Sequence, residues 1–83
     1  MLRIYITAHC WGCDTARQRA EQLRELRPDV AVELVDVEAP GVALPPQVIG
    51  TPIYTWNDRV VFRGNPSEQE LLDRVTILQH PAR

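Results

Sequence analysis

The chain has 83 residues, 45% hydrophobic and 24% charged, with a formal net charge of −2. Such a composition describes one small domain, residues 1–83, near the lower size limit for a self-sufficient core. The slight negative charge offers no electrostatic basis for binding nucleic acid or an anionic membrane, and no apolar run is long enough to span a bilayer.

The first segment, Arg3-Ile4-Tyr5-Ile6-Thr7, alternates and is rich in strand-forming residues. Its start, Met1-Leu2-Arg3-Ile4, has no apolar stretch or small-residue cleavage site of a signal peptide, so the expected location is the cytosol. Next come the only two cysteines, in Cys10-Trp11-Gly12-Cys13. From Cys10 onward the pattern turns helical, with Cys13, Ala16, Ala20, Leu23 and Leu26 on one narrow apolar face. Pro28 ends this helix, because the residue before a proline is pushed out of the α region. Arg17, Arg19, Arg24 and Arg27 read as its solvated face or, alternatively, as a docking surface for an acidic partner.

Val30 to Val37 is β-branched and mostly apolar, a strand expected to be buried on both faces. Glu38 to Gly50 holds Pro40, Gly41, Pro45 and Pro46 and reads as a loop, with one helical turn expected near Pro46 to Ile49. Ile53 to Trp56 and Arg59 to Arg63 are strands around Asn57-Asp58, a tight hairpin signal. After Gly64-Asn65-Pro66, Ser67 and Glu70 fit a capping box, and Leu71, Leu72, Val75 and Leu78 form the stripe of a last helix. His80-Pro81-Ala82-Arg83 is expected to fray. The order βαβ-(short α)-ββα predicts an α/β fold: a four-stranded mixed sheet flanked by helices on both faces.

A close cysteine pair in a reducing compartment points to catalysis or metal binding more than to a staple. The loop it closes is tiny and removes little entropy from the unfolded chain. A thiol at a helix N-terminus ionises more readily than the ordinary ~8.5, toward ~7, and a second thiol in reach makes a reversible couple.

Three separated features resemble the thioredoxin/glutaredoxin superfamily. They are Cys10-Trp11-Gly12-Cys13 between the first strand and helix, Gly50-Thr51-Pro52-Ile53, and Gly64 followed by Ser67 and Leu71. The resemblance implies a thioredoxin-like fold and a thiol–disulfide oxidoreductase of protein-disulfide reductase type. It implies Cys10 as nucleophile, Cys13 as resolving thiol and a cis Pro52 beside them. Trp11, Gly12, Thr51, Pro52 and Gly64 would then meet the substrate, the Thr51 backbone pairing with an extended segment. The partners implied are protein disulfides and a reductase or low-molecular-weight thiol as donor, acting on a monomer with no cofactor and no resident metal. Trp-Gly replaces the family's usual intervening residues, and Ile4 lies where thioredoxins carry a buried aspartate. Gly64-Asn65-Pro66-Ser67 is closer to the thioredoxin step than to the glutathione-binding step of glutaredoxins, which favours a protein reductant.

Trp11 reads either as a flat contact for substrate or as packing over its loop. His9 reads as a solvated loop residue or as a stabiliser of a Cys10 thiolate. Tyr54 and Trp56 read as sheet packing. Two further functions compete with the enzyme: a metal-binding module using Cys10, Cys13 and His9, and a redox-sensing interaction module without turnover.

Overall fold

The computed structural model describes residues 1–80. Its elements are β1 (Leu2–Ile6), α1 (Cys13–Leu26), β2 (Val32–Asp36), β3 (Ile53–Trp56), β4 (Arg59–Arg63) and α2 (Glu68–Gln79). The four strands form one mixed sheet in the order β2-β1-β3-β4. β1 runs parallel to β2, with Ile4 opposite Leu34, and antiparallel to β3, with Ile4 opposite Tyr54. β3 and β4 form the expected hairpin. Asn57 and Asp58 at its tip both adopt positive φ, 48° and 70°, the conformation that matches a two-residue connection to strand twist.

Alternation in β1 sends Leu2, Ile4 and Ile6 to one face, where all three are buried. Onto that face α1 places Cys13, Ala16, Ala20 and Leu23, and α2 places Leu71 and Val75; Tyr54 completes the same cluster. The two alanines let α1 approach the sheet closely. Burying each leucine or isoleucine contributes roughly 1.5–3 kcal/mol, so these few side chains carry much of the fold.

Five expectations change. Both helices lie on the single face built from Leu2, Ile4, Ile6 and Tyr54, so the sheet is not flanked by helices on both sides. The helical turn expected near Pro46 is a single hydrogen-bonded turn and not a helix: Val48 N–H donates to Pro45 C=O at 3.0 Å, and Gly50, at φ 81°, takes the chain out of helical geometry. Residues 37–52 cover the second face as loop, leaving a hollow of about 330 Å³ lined by Arg3, Tyr5, Glu33, Val35, Val42 and Pro45 among others. The strand expected over 30–37 is shorter, and as an edge strand it is only half-buried, with Glu33 and Asp36 exposed. Leu26, expected on the buried stripe, is 53% exposed because the helix ends there. His80 caps α2, its N–H donating to Thr76 C=O at 3.1 Å; the remainder of the expected frayed tail lies outside the described residues.

Three arginines of α1 and its C-cap stitch elements together. Arg19 donates to Pro66 C=O at 3.1 Å, Arg24 to Val32 C=O at 3.1 Å, and Arg27 to Thr76 Oγ1 at 2.8 Å and Gln79 Oε1 at 2.6 Å. Their donors are engaged within the chain, contrary to a purely solvated face. Among the described residues no helix is long and apolar enough to cross a membrane.

Candidate active site

The loop after β1 carries Cys10, and Cys13 opens α1. Cys10 and Cys13 are joined in a disulfide, with S–S 2.10 Å and Cα–Cα 5.2 Å. Cys13 is the first residue of α1 and is 1% exposed, while Cys10 precedes the helix and is half-buried. The difference follows from register: Cys13 continues the inward stripe of Ala16 and Ala20, whereas Cys10 sits in the turn. The helix cap is Gly12, two residues after Cys10. Gly12 has φ 92°, a left-handed conformation open to glycine and strained for other residues, and this swings the chain from the turn into the helix.

The first turn is held without a side-chain cap. Cys13 N–H donates to Cys10 C=O at 3.2 Å and Ala16 N–H to Gly12 C=O at 3.1 Å. The buried sulfur of Cys13 accepts the Thr7 N–H at 3.5 Å. A hydrogen bond to sulfur favours the thiolate over the thiol once the disulfide is reduced. The Cys10 sulfur lies 3.4 Å from the Trp11 carbonyl oxygen. In the disulfide it carries no proton, so this is a contact and not a hydrogen bond.

The peptide between Thr51 and Pro52 is cis, and Pro52 is buried. A Cβ added to Gly12 would stand 4.0 Å from Pro52 Cδ, so the proline ring lies directly under the cysteine turn. Pro52 C=O accepts the Gly64 N–H at 2.9 Å. Neither Thr51 N–H nor Thr51 C=O has a protein partner among the described residues. Immediately after Gly64, Asn65 Nδ2 donates to Gly12 C=O at 2.8 Å, and Asn65 Oδ1 accepts the Tyr54 hydroxyl at 2.8 Å. Thus Gly12, Pro52 and Gly64, far apart in sequence, meet around the disulfide.

Comparison with protein-family models, curated proteins and solved structures found no match. The site therefore has to be understood from its own geometry.

Trp11 is 98% exposed and packs over nothing, leaving it open to a partner. His9 is exposed in the same loop. Arg17 pairs with Asp14 at 2.9 Å, which partly offsets the carboxylate placed one residue after Cys13. Ile4 is completely buried, and Thr55 is the only polar residue fully inside among the described residues, so no carboxylate lies beneath the cysteines. Among the described residues no three His, Cys, Asp or Glu side chains gather as metal donors.

Sequence reasoning missed the roles of Asn65, Tyr54 and Thr7. Asn65 stood in the sequence as a turn residue between Gly64 and Pro66, and Tyr54 as sheet packing. Only the antiparallel pairing of β3 with β1 and β4 brings the tyrosine hydroxyl under the asparagine.

Proposed function

We propose that this chain is a thioredoxin-like thiol–disulfide oxidoreductase that reduces protein disulfides through Cys10 and Cys13. One observation carries the proposal: a disulfide pair, its half-buried Cys10 more accessible than its buried Cys13, lies at a helix N-terminus without a side-chain cap and against the ring of Pro52. Cys10 thiolate attacks a target disulfide, forming a mixed disulfide and releasing one target thiolate, which takes a proton from water. Cys13 thiolate then attacks the Cys10 sulfur, closing the Cys10–Cys13 bond and expelling the second target thiolate. Two electrons pass from the dithiol to the target. A donor dithiol resets the pair by the reverse exchange.

The accessible half of the pair suits attack and the buried half suits resolution. Open helix amides and the helix dipole favour a thiolate at this end. The unpaired Thr51 backbone offers an extended substrate one donor and one acceptor, and Trp11 offers it an apolar plate. With no buried carboxylate, protons exchange with water at the rim. A protein reductant in the cytosol completes the proposal.

The test is turnover of insulin disulfides with dithiothreitol or a thioredoxin reductase as donor. Cys10→Ser is expected to abolish it, and Cys13→Ser is expected to accumulate a mixed disulfide visible by mass. Metal bound stoichiometrically without turnover would replace this proposal with a metal-binding module. Reversible oxidation without turnover would replace it with a sensor.

A further inference from the structure

We propose that Asn65 is a positioning residue for the dithiol, holding the cysteine turn closed when no S–S bond does so. The proposal rests on Cys10 and Cys13 working as a reversible couple.

The geometry is a three-part relay. The Tyr54 hydroxyl donates to Asn65 Oδ1 at 2.8 Å, and Asn65 Nδ2 donates to Gly12 C=O at 2.8 Å. Gly12 is both the third residue of the cysteine motif and the cap of α1, so its carbonyl fixes the peptide that carries Cys13. A Cβ on Gly12 would stand only 3.0 Å from Asn65 Nδ2, so the amide lies hard against the turn. Asn65 is itself anchored on both sides. Gly64 N–H donates to Pro52 C=O at 2.9 Å, and Arg19 holds Pro66 C=O at 3.1 Å. Burial raises the Tyr54 hydroxyl to about 12, so it remains a donor throughout the range in which thiols titrate. An amide oxygen must face a hydroxyl proton and an amide N–H₂ must face a carbonyl, so the relay admits one orientation of Asn65.

The consequence concerns the reduced protein. Breaking the disulfide frees the turn, and Gly12 adds to that freedom. A turn still tied to Asn65 keeps Cys13 close to Cys10, which raises its effective concentration as the resolving thiol. Resolution forms Cys10–Cys13, breaks the bond from Cys10 to the target, and leaves the electron pair on the target sulfur. Restraining the dithiol removes entropy from the reduced state and so favours the disulfide. Loss of Asn65 must therefore make the protein a weaker reductant.

The experiment equilibrates wild type, Asn65→Ala, Asn65→Asp and Tyr54→Phe with dithiothreitol buffers and reads the oxidised fraction. It also follows thermal unfolding of each oxidised protein. Asn65→Ala is expected to weaken ring closure about tenfold, a rise of ~30 mV in midpoint potential. Asn65→Asp keeps an acceptor for Tyr54 but faces Gly12 C=O without a donor, and should move at least as far. Tyr54→Phe leaves the inner bond and should move about two- to threefold. A kinetic measure of resolution, the lifetime of a mixed disulfide formed with a small aromatic disulfide, should lengthen in the same order.

Unchanged potentials and lifetimes in folded variants, with only the melting temperature lowered, would reduce Asn65 to a structural role and overturn the proposal. If Asn65→Ala does not fold, Asn65→Asp and Tyr54→Phe decide the matter by the same readouts. A wild type that cycles in the buffers but reduces no protein disulfide removes the enzyme function and leaves this test standing. A wild type that does not cycle removes both.

Discussion

The two helices begin in opposite ways. At α2 a full capping box closes the helix end: Ser67 Oγ accepts Glu70 N–H at 3.1 Å, and Glu70 Oε1 accepts Ser67 N–H at 3.0 Å. At α1 there is no side-chain cap, only a left-handed glycine between the two cysteines. Both ends present the same free amides and the same positive dipole. α2 closes its end with side chains, whereas at α1 the Cys13 N–H is met by the backbone Cys10 C=O at 3.2 Å. The contrast teaches that a chain able to cap one helix with side chains leaves the start of its other helix to a left-handed glycine inside the cysteine pair.

The sharpest way to break the contrast is to exchange the chemistry at the open end. Cys13→Ser should leave the fold intact and stop the cycle at the mixed disulfide, a loss of turnover to background measured with insulin. Gly12→Ala comes next. A side chain in the left-handed region costs about 1–2 kcal/mol, and here it also meets Asn65 Nδ2 at 3.0 Å. Thermal unfolding should fall by several degrees and the midpoint potential should move with it. At the closed end, Ser67→Ala should cost ~1 kcal/mol, or about 4–8 °C, with the potential unchanged.

The smallest effect is a pH dependence at the closed end of α2. Hydrogen bonds from the Ser67 backbone and side chain hold the Glu70 carboxyl below its usual 4.5. A carboxyl lowered in the folded state stabilises above its unfolded value and loses that contribution as pH falls through its folded one. Stability should therefore decline as pH falls below about 4.5, and Glu70→Gln should flatten that decline. Asp29, lowered by its hydrogen bond with Arg27, adds a loss of the same sign at lower pH, which Glu70→Gln leaves in place. Acid unfolding curves of the two proteins check this.

The legible parts of this molecule were those written in local pattern. Leu2, Ile4 and Ile6 alternate, Ala16, Ala20 and Leu23 recur at helical spacing, and Asn57-Asp58 marks its own turn. Cys10 and Cys13 stand together in the sequence, whereas a cis Pro52 beside them was an expectation of the family resemblance and not of local pattern. The parts that were not legible depend on partners distant in sequence. Val30–Val37 reads as buried because it is apolar, yet an edge position is decided by what pairs beside it, and only β1 does. On the second face the chain makes one turn from Pro45 to Val48 and then leaves helical geometry at Gly50, φ 81°, an outcome that the prolines and glycines of this stretch do not announce. Asn65 is indistinguishable from any loop asparagine until β3 and β4 bring it between Tyr54 and Gly12.

The exposure of Trp11 has a practical consequence. Its indole ring projects into water between the two cysteines, whereas Trp56, the only other tryptophan, is half-buried in the sheet. Disulfides quench neighbouring indoles by accepting an electron from the excited state, and thiols do so far less. The chain thus carries its own optical gauge. Emission from Trp11 should brighten on reduction and dim on reoxidation, while Trp56→Phe leaves that signal on a lower background. Every exchange at Cys10 can be followed in real time without a label.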